Sequence, residues 1–233
     1  MNHWEGRARV GRVGVDYVVK IGGSLLRKAA WIRCLLAKLE TVKSNVVYTV
    51  GSGYLGEAFK RYLVSNGIQQ GFSSSVKCWS GIQAVNVRMI CDMNPQFVAC
   101  SSFGEIFRAL SSGVCSVIDP NGFYENLRRS TIQTADVRSA VICNYLRCKR
   151  LLILTDVNGI YTEDPKKNPN ASKIRLIKAK DLVNMGATSV DNGLAERLIE
   201  FGITAFVMGI DSVLNAAVDW EELVLKDATM IVP

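Results

Sequence analysis

Short β-rich runs alternate with amphipathic helical patterns along almost the whole chain of 233 residues. Strands are predicted at 16–21, 45–50, 97–100, 114–118, 151–155 and 205–208. Helices are predicted between them at 24–39, 56–64, 80–93, 103–110, 135–146, 194–200 and 211–218. This alternation favours an α/β fold in which helices cover both faces of a mostly parallel sheet.

The remaining segments carry weaker periodic signals. The polar segment 119–131 is predicted to be a loop, and 156–171 an irregular surface stretch, because both contain proline and Asn-Gly or Gly signals. An edge strand is predicted at 229–232. We expect one domain over residues 1–233, with residues 1–12 disordered.

The composition excludes several classes of protein. Only one histidine, His3, is present, so a zinc site or a general base built on histidine is not expected. Seven cysteines without a C-x-x-C pair favour free thiols. No apolar run has membrane-spanning length, and the N-terminus lacks a signal-peptide pattern, so we expect a cytoplasmic protein. The net charge of +7 is scattered, which favours a small anionic ligand over nucleic acid.

A lysine and two glycines close the first predicted strand. Lys20 is followed by Gly22, Gly23 and Ser24, and Ser24 is a candidate cap of the next helix. Glycine has no Cβ, so backbone N–H groups can approach phosphate oxygens, and a helix N-terminus attracts anions. Lys20 would place positive charge where negative charge moves during phosphoryl transfer.

A second glycine bend, Gly51-Ser52-Gly53, closes the next strand. Each bend alone is equally compatible with an ordinary turn between a strand and a helix, and Lys20 with a lysine that snorkels to the surface. No G-x-x-x-x-G-K-[ST] pattern is present, so neither bend is a Walker A loop. Two such bends at equivalent strand ends favour phosphate binding.

Thr134 and Asp136 flank the start of the predicted helix 135–146. Thr134 fits the N-cap position and Asp136 the first turn, and this local role explains both residues without any ligand. The functional alternative is that Asp136 orients Lys20 and that Thr134 contacts a phosphate.

A longer motif runs from Thr155-Asp156 through Tyr161 to Asp164-Pro165. It is compatible with an ordinary loop. It is equally compatible with a nucleotide-binding loop, in which the Tyr161 ring packs on a base or a ribose.

In their order and spacing these motifs resemble those of the amino-acid kinase superfamily, nearest to its UMP kinase branch, from about Val18 onward. The resemblance implies a three-layer αβα sandwich that transfers the γ-phosphoryl group of ATP, usually with Mg²⁺. It implies that Lys20 and Asp136 are catalytic. The ATP-binding residues that it implies are Lys20, Gly22, Gly23, Gly53, Thr155, Asp156, Tyr161 and Asp164.

The acceptor side departs from the UMP kinase pattern. Gly22 replaces a serine, Cys78 replaces an acidic residue that holds the ribose, and Glu57 lies near the position of an arginine. The acceptor loop is replaced by the segment 121–129, and its two arginines are candidate phosphate ligands or solvated loop residues. The candidate acceptor-binding residues are Gly51, Ser52, Arg128, Arg129 and Thr134.

Three functions follow from the resemblance. The chain phosphorylates UMP; or it phosphorylates another small phosphate or carboxylate, as aminomethylfuran phosphate kinases and acetylglutamate kinases do; or it binds ATP or oxyanions without turnover, as molybdenum storage proteins do. ATP and Mg²⁺ are the expected cofactors, with no metal ligand predicted in the protein. The expected partners are ATP, a small anionic acceptor and further copies of the chain in a dimer or hexamer, without nucleic acid or membrane.

Overall fold

The computed structural model describes residues 14–69, 74–125, 134–185, 189–191 and 193–233. The expected disorder of residues 1–12 therefore lies outside the described residues, as does His3. The strands are β1 (Tyr17–Ile21), β2 (Val46–Val50), β3 (Phe97–Cys100), β4 (Cys115–Ile118), β5 (Arg150–Thr155), β6 (Ile160–Tyr161), β7 (Lys173–Ile174), β8 (Leu176–Lys178), β9 (Thr204–Gly209) and β10 (Thr229–Val232).

Eight of these strands form one sheet in the order β3-β4-β2-β1-β5-β9-β10-β8, and β6 pairs with β7 separately. Every pairing from β3 to β9 is parallel, so the carboxyl ends of these strands lie at one edge. The predicted α/β class, with its mostly parallel sheet between helices, is confirmed.

The prediction that 229–232 is an edge strand is wrong. β10 pairs with β9 on one side and with β8 on the other. The short strand β8 was not predicted, and it is this strand that occupies the edge and covers β10.

Helices cover both faces of the sheet. They are α1 (Ala29–Leu39), α2 (Gly53–Ser65), α3 (Ser75–Met93), α4 (Phe103–Ser111), α5 (Pro120–Glu125), α6 (Ala135–Tyr145), α7 (Ala179–Leu182), α8 (Leu194–Phe201), α9 (Ile210–Leu214) and α10 (Trp220–Asp227). Within the described residues, these helices are too short or too polar to cross a membrane.

Three helix predictions need correction. The helix predicted at 24–39 is divided, because Lys28 has an extended backbone between a 3-10 turn at Gly23–Arg27 and α1. Ser24 therefore lies inside the turn and caps nothing. The predicted loop 119–131 contains α5, and α10 was missed although Asp219 caps it with two hydrogen bonds.

Alternate residues of β1 enter different cores, because successive side chains of a strand point to opposite faces. Tyr17, Val19 and Ile21 pack in the core that contains α1 and part of α3. Val18 packs in the other core, against α6 and α8. The same alternation directs Lys20 towards the α6 side of the sheet, at the carboxyl end of the strand.

Candidate functional site

The two glycine bends pack directly against each other. A Cβ atom on Gly23 would lie 2.3 Å from the backbone nitrogen of Gly53, and one on Gly51 would lie 2.6 Å from the nitrogen of Gly23. Gly53 also has a φ of +57°, which side chains rarely tolerate. Only glycine fits this backbone-to-backbone contact, so the bends form one continuous surface.

Backbone hydrogen bonds hold the bends to their strands. Gly22 donates to the carbonyl oxygen of Leu154 over 2.8 Å, and Gly51 donates to that of Ile21 over 2.9 Å. α2 begins at Gly53, and Ser52 makes no side-chain capping bond to it. The first N–H groups of α2 are therefore available to an anion at this edge.

Lys20 and Asp136 form an ion pair beside the bends. The Lys20 Nζ atom lies 2.7 Å from the Asp136 Oδ1 atom, and the two side chains are 12% and 2% exposed. Burial alone would lower the pKa of Lys20, but the charge and hydrogen bond of Asp136, together with the charge of Asp191, raise it above 10.5. The ammonium group is therefore charged at neutral pH.

Asp191 is a third ionisable residue of this cluster, and it was not among the predicted site residues. Its carboxylate accepts a hydrogen bond from the backbone N–H of Asp136. Burial and the nearby Asp136 carboxylate raise the pKa of Asp191, although Lys20 and hydrogen bonds from Asp136 and Thr134 oppose this. Thr134 also caps α6 by accepting from the N–H of Val137 over 3.4 Å.

A cavity of about 320 Å³ opens at this cluster. Its lining includes Lys20, Asp191 and the two bends. The other lining residues come from α2 and α3 (Glu57, Lys60, Trp79 and Gln83) and from the first turn of α6, which includes the buried Arg138.

Buried amides of α3 support the second bend from behind. The Gln83 side chain donates to the carbonyl oxygen of Val50 over 3.0 Å. The Asn86 side chain donates to the carbonyl oxygens of Gly51 and Ser52 over 2.8 and 3.0 Å. These bonds provide amide donors for the carbonyl groups of the bend and fix the bend to α3.

The buried face of α3 differs from the one that the spacing of its apolar residues predicts. Ile82, Val85, Met89 and Ile90 recur at helical spacing, yet Val85 and Met89 are 44% and 45% exposed. The buried face instead contains Ala84, Val87 and Ile90 together with the two amides. The sequence signal for the contact of α3 with the second bend is the pair Gln83 and Asn86, two polar residues three positions apart in a helix of mostly apolar residues.

The predicted adenosine-side residues lie beyond the cavity. Thr155 ends β5 next to Gly22, whose missing Cβ would lie 3.4 Å from the Thr155 Cα atom. The Asp156 carboxylate accepts from Lys166 Nζ over 2.9 Å, and its pKa is lowered because hydrogen bonds from Lys166 and Ser24 outweigh its burial. These two residues therefore adjoin the first bend.

Tyr161 and Asp164 lie in the hairpin that follows. Tyr161 pairs with Lys173 across β6 and β7, and Asp164 accepts from the backbone N–H of Lys166 over 3.0 Å. Neither is among the described residues that line the cavity. Arg128 and Arg129 lie outside the described residues.

Asn158 ties the long motif to the end of β9. Its Oδ1 atom accepts from the Gly209 N–H and from the Ser212 hydroxyl, each over 3.1 Å. The next strand, β6, is held by Thr229, whose hydroxyl accepts from the Ile160 N–H over 2.9 Å. The loop after β5 is therefore fixed by residues that are far away in the sequence.

Two glycine bends, a lysine and helix N-termini at the carboxyl edge of a parallel sheet are an arrangement with which α/β proteins bind anionic ligands. The chain belongs to the amino acid kinase family, whose model matches residues 17–209. Membership of this family identifies the chain as a kinase.

Uridylate kinases are among its relatives. The uridylate kinase of Methanothrix thermoacetophila is 29% identical over 78% of this chain and 84% of the relative. That of Pyrococcus abyssi is 38% identical, but the match covers only 33% of this chain and 38% of the relative. The UMP kinase structure from Ureaplasma parvum has a TM-score of 0.73 at 17% identity, over 94% of this chain and 99% of that chain, which shows a shared fold.

Proposed function

We propose that this kinase transfers the γ-phosphoryl group of ATP to the phosphate of UMP, giving UDP and ADP. The observation that carries the proposal is the contact of two glycine bends beside the Lys20–Asp136 ion pair. The similarity to uridylate kinases supports UMP as the first acceptor to test.

In this proposal the phosphates are bound by backbone N–H groups of the first turn of α2 and of the bends, other than those of Gly22 and Gly51, which donate within the sheet. Lys20 stabilises the negative charge that moves during transfer, and Asp136 holds its ammonium group in place. Thr155, Asp156, Tyr161 and Asp164 would bind the adenosine part of ATP, beyond the first bend.

Magnesium is compatible with the carboxylates at this site. No group of three or more His, Cys, Asp or Glu side chains able to hold a metal occurs in the described part of the chain. Mg²⁺ usually takes one or two carboxylates and completes its shell with substrate phosphates and water. Asp191, which lines the cavity, fits that limited role, whereas both oxygens of Asp136 are already engaged by Lys20 and by the Asp191 N–H. Bound Mg²⁺ would neutralise phosphate charge.

Phosphorylation of a different acceptor is the second candidate. Glu57 lies near the position at which UMP kinases carry an arginine, and it forms an ion pair with Arg27 over 2.7 Å. The wall therefore has a paired carboxylate where UMP kinases have a cation. This favours an acceptor that does not need that arginine, such as another small phosphate or a carboxylate, while binding of ATP or an oxyanion without turnover is a third candidate.

One panel of acceptors tests these candidates. The purified chain is incubated with ATP, Mg²⁺ and either UMP, CMP, acetylglutamate or small alkyl phosphates, and ADP and the phosphorylated product are quantified. Turnover of UMP supports the proposal, and turnover of another acceptor alone supports the second candidate. Tight nucleotide binding without turnover of any acceptor would contradict both.

A further inference from the structure

The cavity contains one aromatic side chain among the described residues that line it. That residue is Trp79 of α3, and the other residues in the lining are charged, polar, glycine or alanine. A single indole ring in an otherwise polar cavity offers a ligand one flat apolar surface.

Neighbouring residues of α2 fix the position of the indole. Phe59 meets the Trp79 ring edge to face, with ring centroids 5.1 Å apart and planes at 77°. A Cβ atom on Gly56 would lie 3.2 Å from the Trp79 Cζ3 atom, so the absence of a side chain there allows the ring to lie close to α2. The ring is therefore positioned before any ligand binds, which lowers the entropic cost of binding.

Positive charge also lines this cavity. Lys60 and Arg138 both belong to its lining together with Trp79. The Arg138 guanidinium donates to the Gln83 side chain over 2.6 Å and to the Ser80 hydroxyl over 3.4 Å, so it is held beside the residue that follows Trp79. The cavity lining thus combines a flat apolar ring with two cations.

We propose that Trp79 determines acceptor specificity, by packing on a flat unsaturated ring of an acceptor whose anionic group lies towards Lys60 and Arg138. The acceptor class is therefore a phosphomonoester that carries a five- or six-membered planar ring. This inference rests on the proposed function, because it assigns the polar cavity to the phosphoryl acceptor. UMP belongs to this class, whereas alkyl phosphates and ribose 5-phosphate do not.

Steady-state kinetics with two kinds of acceptor test the proposal. Ring-bearing acceptors are UMP and benzyl phosphate, and ring-free acceptors are ribose 5-phosphate and isobutyl phosphate. Trp79→Ala should raise KM for ring-bearing acceptors by roughly ten- to a hundredfold, the usual range for loss of one stacking contact. Trp79→Phe should restore most of this loss, and KM for ATP should not change.

A matched control is available on α1. Trp31 packs under the ammonium group of Lys28, 4.0 Å from its ring, and does not line the cavity. Trp31→Ala should leave the acceptor KM values unchanged. Equal effects of Trp79→Ala on ring-bearing and ring-free acceptors, or no effect on either, would overturn the proposal.

Fluorescence separates this proposal from the proposed function. The chain has four tryptophans, and replacing Trp4, Trp31 and Trp220 by phenylalanine leaves Trp79 as the only indole. Quenching of Trp79 by benzyl phosphate, but not by isobutyl phosphate, supports the ring contact even if no acceptor is turned over. Turnover without selective quenching and without a selective change in KM would refute the ring contact and leave the kinase function intact.

Discussion

The backbone N–H of Asp136 donates to the Asp191 carboxylate over 3.3 Å, and the N–H of Asp191 donates in return to the Asp136 Oδ2 atom over 2.8 Å. This exchange joins the start of α6 to the segment that precedes α8. The other oxygen of this carboxylate, Asp136 Oδ1, forms the ion pair with Lys20. The carboxylate that positions the lysine is therefore held from two separate elements.

Replacing Lys20 should affect both activity and stability. Lys20→Met should reduce phosphoryl transfer by roughly a hundredfold or more, because the moving negative charge loses its cation. It should also lower the free energy of unfolding by about 3–5 kcal/mol, because Asp136 would remain buried without its partner. Initial rates of ADP formation and urea denaturation measure the two effects.

A double variant separates the effect on activity from the effect on stability. Lys20→Met combined with Asp136→Asn removes the uncompensated charge and should recover most of the stability but none of the activity. Lys180→Met, at an exposed lysine, serves as the control for both measurements. Near-normal rates in the Lys20→Met variant would refute the catalytic role of Lys20.

A methyl group at Gly23 should separate the two bends. Gly23→Ala places a Cβ atom 2.3 Å from the Gly53 nitrogen, so the backbone of one bend must move. We expect KM for ATP to rise at least roughly tenfold, with a stability loss of about 1–3 kcal/mol. Kinetics at saturating acceptor and thermal denaturation provide the two values.

Gly104 of α4 provides the matched glycine control. A Cβ atom there would meet only the Arg108 guanidinium, at 3.9 Å. Gly104→Ala should leave KM unchanged and raise stability by at most about 1 kcal/mol. An unchanged KM for ATP in Gly23→Ala would show that phosphate binding does not depend on the contact between the bends.

The raised pKa of Asp191 predicts a pH-dependent contribution to stability. The folded chain holds the Asp191 proton more tightly than the unfolded chain does, so its stabilisation is complete below the ordinary value of 3.8. That stabilisation is lost as pH rises through the raised pKa. Asp191→Asn removes this dependence and preserves an oxygen that accepts from the Asp136 N–H.

The stability of Asp191→Asn relative to the wild type should therefore increase between pH 4 and neutral pH, as measured by urea denaturation at several pH values. Asp92→Asn, at an exposed position near the end of α3, gives the background for loss of one surface carboxylate. A stability difference that stays constant across this range would exclude a raised pKa at Asp191.

We expect Asn158 to affect the binding of ATP but not that of the acceptor. Asn158→Ala removes the acceptor of two hydrogen bonds, from Gly209 and Ser212, and should cost about 1–2 kcal/mol of stability. The loop after β5 would loosen, so KM for ATP should rise while KM for the acceptor stays the same. Asn184→Ala, at an exposed residue, is the control; equal changes in both KM values would contradict the assignment.

The central strands and the two bends could be predicted from sequence because their signals are local. β1 and β2 are apolar apart from Lys20 and Thr49, and each is followed at once by a glycine. β5 is apolar from Leu151 to Leu154 and ends in Thr155, which Asp156 follows. Such runs are typical of parallel strands that are buried on both faces. The close approach of the bends follows from the adjacency of β1 and β2.

The short elements could not be predicted, because tertiary contacts define them. β6 is held by the Thr229 hydroxyl, and β8 exists through its pairing with β10. Trp79 and Arg138 were missed for a related reason. Each acquires its position only where α3, α6 and the segment before α8 meet, and no local pattern marks that meeting point.

The backbone of one glycine bend serves as the wall for the other, with no side chain between them to absorb a change. A residue gained or lost in either bend would leave a gap or a collision that a rotamer change cannot relieve. The lengths of the two bends therefore constrain each other, although separate strands carry them. A ligand that draws one bend inward must move the other as well.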